Sequence, residues 1–398
     1  MTLRGLGLSI AVVSFLTCFA TTFAQESDAT CAGKPFAIAF GDCRLISNVV
    51  SWGALVQVGS PNPQRVCLIP STVTNSTVVQ QETLCDISKT PIQNQCESLR
   101  GGFYDENADP SWKAVSDPQN SNITRQNPTW DLFNPDGPLV KLGWDTVRYG
   151  SSDGVTLYGA GIAVNDKGNQ SNLGMIGLGI ESTFLSEAVA QGKSPSRSWG
   201  FDPGSTASPS RTGELVIGGY NNARLDGPLT WANLSDMSGG RPCPLRTEII
   251  ATSIRLANGT KLDITSSGER YTACIEPYDS AFRWTPAMVA NWKQVTNYNK
   301  SLSDVYAAAG QNLSFVEPGL LYASDSIPEW DLEITISSGY RTVIPSKDFQ
   351  RPLTGYNAQG DLQAVENVTN VAIFNESTTG GQVGTLGRIF LSRVSIRY

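Results

Sequence analysis

The chain of 398 residues contains no histidine. That removes the Ser-His-Asp and Cys-His mechanisms, histidine general bases and imidazole metal ligands together. Cysteine does not replace it as a ligand, because no Cys-x-x-Cys spacing occurs and the thiols lie far apart along the chain. No metal site and no cofactor is expected. Carboxylates remain, and what carboxylates do alone is paired acid and base work: one ionised, one protonated, with the bond to be hydrolysed or an attacking water between them. A candidate pair is Glu276 with Asp279 in Glu276-Pro277-Tyr278-Asp279-Ser280. Either residue is also a common turn carboxylate. Asp145 reads as structural, and Ser71 lacks the base partner that a nucleophile needs.

The elements that must position these groups are short strands. Ala54-Leu55-Val56-Gln57-Val58, Arg65-Val66-Cys67-Leu68-Ile69, Glu214-Leu215-Val216-Ile217 and Leu332-Glu333-Ile334-Thr335-Ile336 alternate or run apolar between Gly, Pro and Asn clusters. Two short helices are expected, one over Thr183 to Gln191 and one over Pro286 to Val295 with proline at its first position. A weak internal echo, Met175-Ile176-Gly177-Leu178-Gly179 against Thr385-Leu386-Gly387-Arg388-Ile389-Phe390-Leu391, implies two similar β lobes. The Ser, Gly and Pro-rich stretch from Gln191 to Pro209 is the expected linker.

The bulk numbers agree with a folded, exported chain. Charged residues make up only 16% and hydrophobic residues 40%, with 38 Gly and 22 Pro to punctuate turns. A length near 400 exceeds what one core usually serves. The formal net charge of −7 has no basic cluster to interrupt it, so neither nucleic acid nor an anionic membrane is an expected partner. Arg4, the apolar run from Gly5 to Phe19 and the small residues ending at Ala24 have the layout of a secretory signal over residues 1–24. No later segment reaches the roughly 20 apolar residues of a membrane span. Sequons at Asn75, Asn122, Asn169, Asn233, Asn258, Asn299, Asn312, Asn367 and Asn375 point the same way, to a disulfide-bonded glycoprotein outside the cell. Cys18 goes with the signal, leaving Cys31, Cys43, Cys67, Cys85, Cys96, Cys243 and Cys274, so one thiol stays free or pairs externally.

Five segments in order resemble the pepsin-like aspartic proteases: Trp52-Gly53 through Val58-Gly59-Ser60-Pro61-Asn62-Pro63-Gln64, Leu142 to Val147, Met175 to Gly179, Gly213 to Tyr220, and Leu386 to Leu391. The resemblance implies an all-β, bilobal pepsin-like fold with few short helices, an N-terminal lobe over 25–200 and a C-terminal lobe over 201–398. It also implies where a catalytic pair would sit. Counting on from Gln64 along the family's spacing places Ser71-Thr72-Val73 where the family has Asp-Thr-Gly. In the second lobe the strand Ala273-Cys274-Ile275 puts Glu276 at the aspartate position, whereas counting back from Pro286 puts Pro277 there. Neither count yields aspartate. Val73 and Tyr278 carry side chains where the family has glycines that let two loops approach, and Pro277 lacks an N–H. The flap tyrosine falls on Phe133.

The resemblance also makes Cys85 with Cys96 a small first-lobe disulfide and allows Cys243 with Cys274 to bridge second-lobe strands, leaving Cys31, Cys43 and Cys67 unassigned. Room for the family's basic pro-segment is lacking before Trp52, and the sequence stops at Tyr398 about one strand early, which suggests clipping and leaves place for an anchor beyond it. The expected function is that of a monomeric secreted pseudoprotease binding a peptide, glycan or protein through the inter-lobe cleft or its rim. Some plant members of this fold class are non-catalytic inhibitors of xylan-degrading enzymes. The alternative is an acid endopeptidase with an atypical site built on Glu276 and Asp279.

Overall fold

The computed structural model describes residues 33–46, 49–85, 93–116, 140–150, 154–166, 173–205, 210–224, 237–238, 241–265, 268–298, 313–315, 318–327, 329–375, 383–393 and 396–397. The signal segment, Cys31, Phe133 and the sequons Asn122, Asn169, Asn233, Asn299 and Asn312 lie outside them.

The first sheet takes β1 (Phe36–Ile46), β2 (Val49–Val58), β3 (Gln64–Ser71), β4 (Thr77–Gln80), β5 (Lys113–Ala114), β6 (Val140–Tyr149), β7 (Val155–Asn165), β8 (Gly174–Gly177), β9 (Trp199–Asp202), β10 (Gly213–Ile217) and, from the end of the chain, β25 (Ile396–Arg397). Its order is β25-β9-β10-β1-β2-β3-β8-β4-β7-β6-β5, and a further pairing of β2 with β6 curls it toward a barrel. β11 (Met237–Ser238) and β12 (Arg241–Pro242) form a small hairpin. The second large sheet contains β13 (Arg246–Leu256), β14 (Lys261–Asp263), β15 (Tyr271–Ile275), β16 (Phe282–Trp284), β19 (Trp330–Ile336), β20 (Arg341–Ile344), β23 (Ile373–Asn375) and β24 (Val383–Leu386). β17 (Ser314–Phe315), β18 (Leu320–Ala323), β21 (Gln350–Tyr356) and β22 (Leu362–Val371) make a separate four-stranded sheet.

The echo seen in the sequence is a repeat of topology. In the first lobe β3 runs parallel to β8, β8 antiparallel to β4, and β4 parallel to β7. In the second, β15 runs parallel to β24, β24 antiparallel to β16, and β16 parallel to β23. Such interior strands are covered on both faces, which is why Val66 to Ser71 and Thr77 to Gln80 are buried without alternation. The expected domain boundary after residue 200 falls inside β9, and β9, β10 and β25 all pair into the first sheet, so the chain crosses between the lobes more than once. Gly213 to Tyr220, which the resemblance assigns to the opening of the second lobe, starts instead as a strand beside β1.

The helices are few. α1 is Gln93–Arg100, α2 is Thr183–Ala190, α3 is Pro286–Val295, α4 is Ser346–Phe349 and α5 is Arg388–Leu391. Ser182 caps α2 by accepting from the Leu185 N–H, and Thr285 caps α3 by accepting from Met288. Aromatic packing fills the second lobe, where Trp292 meets Trp284, Trp330 and Phe349 and its indole N–H donates to the Tyr322 hydroxyl at 3.0 Å. Disulfides join Cys85 to Cys96 and Cys243 to Cys274 as expected, and a third joins Cys43 on β1 to Cys67 on β3, two strands that both pair with β2. No helix among the described residues is long and apolar enough to cross a membrane.

Candidate functional site

The two loops that the repeat brings to equivalent places begin at Ser71 and Glu276. Ser71 pairs with Gly177 at the end of the β3–β8 ladder, and the β15–β24 ladder ends with Ile275 opposite Leu386, one step before Glu276 and Gly387. The register therefore makes Glu276, rather than Pro277, the counterpart of Ser71. Gly177 and Gly387 are required by this geometry: a Cβ on Gly177 would lie 2.6 Å from the Asn75 carbonyl carbon, and one on Gly387 would lie 2.2 Å from the Ala281 oxygen. Each glycine lets its loop fold back over the partner strand.

Glu276 is buried, at 4% exposure, and its carboxyl is held across the lobe junction. Thr72 donates to Oε2 from its backbone N–H at 3.0 Å and from its hydroxyl at 2.6 Å. The Tyr278 N–H donates to Oε1 at 2.9 Å. Burial pushes the Glu276 carboxyl up to about 7, against the opposing pull of the Thr72 and Tyr278 donors. The Ser71 hydroxyl, fully buried beside it, is close enough to favour the charged form weakly, yet it makes no well-formed hydrogen bond of its own among the described residues. When Glu276 is neutral its O–H can donate to the Thr72 oxygen instead, so the short contact is satisfied in either state.

The loop itself is shaped by Pro277. The Asp279 N–H donates to the Glu276 carbonyl at 3.2 Å, closing a tight turn in which proline occupies the second position. Lacking an N–H, Pro277 cannot return to Ser71 the bond that Thr72 gives to Glu276. Tyr278 leaves the turn toward the first lobe: its hydroxyl donates to the Leu173 carbonyl at 2.9 Å, and its ring packs against the cluster of Val78 and Met175. Asp279 goes elsewhere. Its Oδ2 is ion-paired with Arg283 Nε and its Oδ1 accepts the Ala281 N–H at 3.2 Å. Val73 is buried in the first-lobe loop, and Asn75 is tied there by its Oδ1, which accepts from Glu181, and by its carbonyl, which accepts from Thr183.

The structure thus gathers Ser71, Thr72, Glu276 and Tyr278 at one junction and directs the Asp279 carboxylate to β16. Asp145 is buried under the Tyr104 and Ser111 hydroxyls and the Thr146 N–H, a structural role. No group of three or more His, Cys, Asp or Glu side chains among the described residues could hold a metal ion. Sequence reasoning gave no role to the Tyr278 hydroxyl and no partner to Cys43; a strand register was needed for both. The described sequons divide by exposure, Asn258 and Asn367 on the surface and Asn75 buried, while Asn375 lies in β23.

No protein-family model matches the chain, and no curated protein matches it. Among solved structures it is similar to the crystal structure of the aspartic proteinase from Irpex lacteus, with a TM-score of 0.54 and 16% identity over 92% of this chain and 94% of that one. A likeness of that length at so low an identity is one of fold, and the all-β, bilobal pepsin-like architecture expected from the sequence is the architecture found.

Proposed function

We propose that this chain is a secreted, glycosylated pepsin-like protein that does not cut peptide bonds and instead holds a peptide, a glycan or another protein between its lobes or at their rim. One observation carries the reading: the position symmetric to Glu276 is Ser71, whose hydroxyl cannot share a proton with a carboxyl or activate a water. Each positioned acid or base contributes roughly 10²–10⁴-fold to such a reaction, so loss of the pair leaves turnover near background. The donors already held by the Glu276 carboxyl, from Thr72 and Tyr278, and its 4% exposure support the same reading. The rival, an acid endopeptidase using Glu276 with Asp279, requires Asp279 to leave Arg283.

The test is incubation of the purified, disulfide-bonded protein with an unfolded polypeptide between about pH 3 and pH 6, where acid pairs of this kind work. Intact substrate is expected throughout. Cleavage that pepstatin abolishes overturns the proposal, and cleavage lowered by Glu276→Gln supports the rival. Affinity capture from the native source, with the partner identified by mass, then names the ligand.

A further inference from the structure

We propose that the first lobe carries a socket for a phenol ring, that the chain's own Tyr278 fills it from the second lobe, and that this contact bolts the lobes shut over Glu276. The inference concerns access to the junction and does not depend on whether the junction can cut a peptide bond.

The socket follows from strand register. Val78 on β4 stands opposite Met175 on β8 and opposite Ala163 on β7, and Ala163 stands opposite Leu142 on β6. Residues directly opposite on neighbouring strands point to the same face, so Met175, Val78, Ala163 and Leu142 form one apolar row across four strands. Their chain neighbours Val79, Val164 and Ile176 point the other way, into the main core. The row is thus a second apolar face of the first-lobe sheet, and it is buried, so other side chains must cover it. Val115 and Trp144 pack against it from the first lobe, and Tyr278 from the second.

Leu173, just ahead of β8, adds backbone polarity to this wall. Its carbonyl accepts from the Tyr278 hydroxyl at 2.9 Å, and its N–H donates to the same oxygen at 3.4 Å. Gln80 Nε2 donates to that carbonyl as well, at 3.2 Å, and helps to hold it in place. An apolar surface bounded by a backbone acceptor and donor suits a phenol, and it leaves a plain phenyl ring without its polar match.

The bolt is equally fixed on its own side. Pro277 restricts the turn, and the Tyr278 N–H donates to Glu276 Oε1 at 2.9 Å. Asp279 closes the turn on the Glu276 carbonyl, and its own carbonyl is held by the Arg388 N–H at 2.8 Å. The turn that aims Tyr278 across the seam also presents Glu276 to Thr72 of the first lobe. Where this chain has Tyr278 the resembling family has glycine, which carries no side chain across. A ligand entering the seam must displace Tyr278, and a tyrosyl side chain is the group best matched to take its place.

The experiment is carboxyl labelling of the whole, disulfide-bonded protein in mild acid with a water-soluble carbodiimide and glycinamide. Peptide mass mapping reads the sites in wild type, Tyr278→Gly and Tyr278→Phe. Exposed Asp361 reports delivery of the reagent, and buried Asp145 and Asp348 report general unfolding. Glu276 is expected to label slowly in wild type and at least about tenfold faster in Tyr278→Gly, with Asp145 and Asp348 still protected, as removal of a packed ring implies. Added p-cresol, the free form of the missing side chain, should restore the protection, and toluene should not. Tyr278→Phe should raise labelling roughly fivefold, the scale of one lost neutral hydrogen bond, and it carries the test alone if the glycine variant does not fold. Rapid labelling of Glu276 in wild type, unchanged labelling in the folded variants, a rise shared equally by Asp145 and Asp348, or p-cresol and toluene acting alike overturns the proposal. Cleavage or its absence in the unfolded-substrate assay leaves these ratios unchanged, so the two readings fail separately.

Discussion

Replacing Glu276 by glutamine tests the lobe junction through its pH dependence. The group's folded value of about 7 stands above its ordinary 4.5, so the folded protein keeps a proton that the unfolded chain releases. Below pH 4.5 both states are protonated and the group contributes no slope; above about 7 both are ionised. Between the two, unfolding releases a proton and stability falls with rising pH by about 1.4 kcal/mol per unit. Over this window the loss comes to about 3 kcal/mol, most of it the cost of an ionised carboxylate without water. Glutamine keeps the shape and cannot ionise, but its amide nitrogen cannot accept the Thr72 N–H, a loss of about 1 kcal/mol. In acid the variant should therefore be the less stable protein, and above pH 7 the more stable by about 2 kcal/mol. Guanidinium unfolding midpoints of both proteins at half-unit steps from pH 4 to 8 measure this. Parallel curves that never cross would refute the reasoning.

Other consequences follow from the same geometry. Thr72→Ala removes a donor that favours the charged form, so the Glu276 titration should move to higher pH, with a cost of about 1 kcal/mol in acid, both read from the pH series of unfolding midpoints. Replacing Cys43 and Cys67 together by alanine should cost about 2–4 kcal/mol, and peptide mapping under non-reducing conditions should recover the two half-cystines joined. For protein made through a secretory host, glycopeptide mapping should find sugar at exposed Asn258 and Asn367 and none at Asn75, whose side chain is enclosed by Glu181 and Thr183; occupied Asn75 would contradict the buried loop.

Much of the architecture was legible because strands buried on both faces write themselves as apolar runs. Arg65 to Ile69 and Leu332 to Ile336 lie within β3 and β19, and Pro286 at a first helical turn marked the start of α3. Helix α2 was found to within a residue from its apolar spacing. The choice between Glu276 and Pro277 was not legible: a strand anchor and a proline anchor differ by one residue, and only hydrogen-bond register across β15 and β24 separates them. Pairing between distant strands also hid the return of β9, β10 and β25 to the first sheet and the Cys43–Cys67 link. Asp279 stands three residues from Glu276 in the chain, and the turn at Pro277 sends its carboxylate to Arg283.

The central claim is that the lobe junction holds one titrating carboxyl where a protease of this fold needs two. Carbon-13 NMR of protein labelled at its Glu and Asp carboxyl carbons, followed from pH 3 to 9, measures that directly. One resonance that titrates in a single step near pH 7 and is missing in Glu276→Gln is the expected result. Beside it stands a second, independent step from Glu187, whose carboxyl burial also pushes up to about 7 and which the substitution leaves in place. Two resonances titrating in linked steps, as two facing acids that share one proton must, would contradict the account.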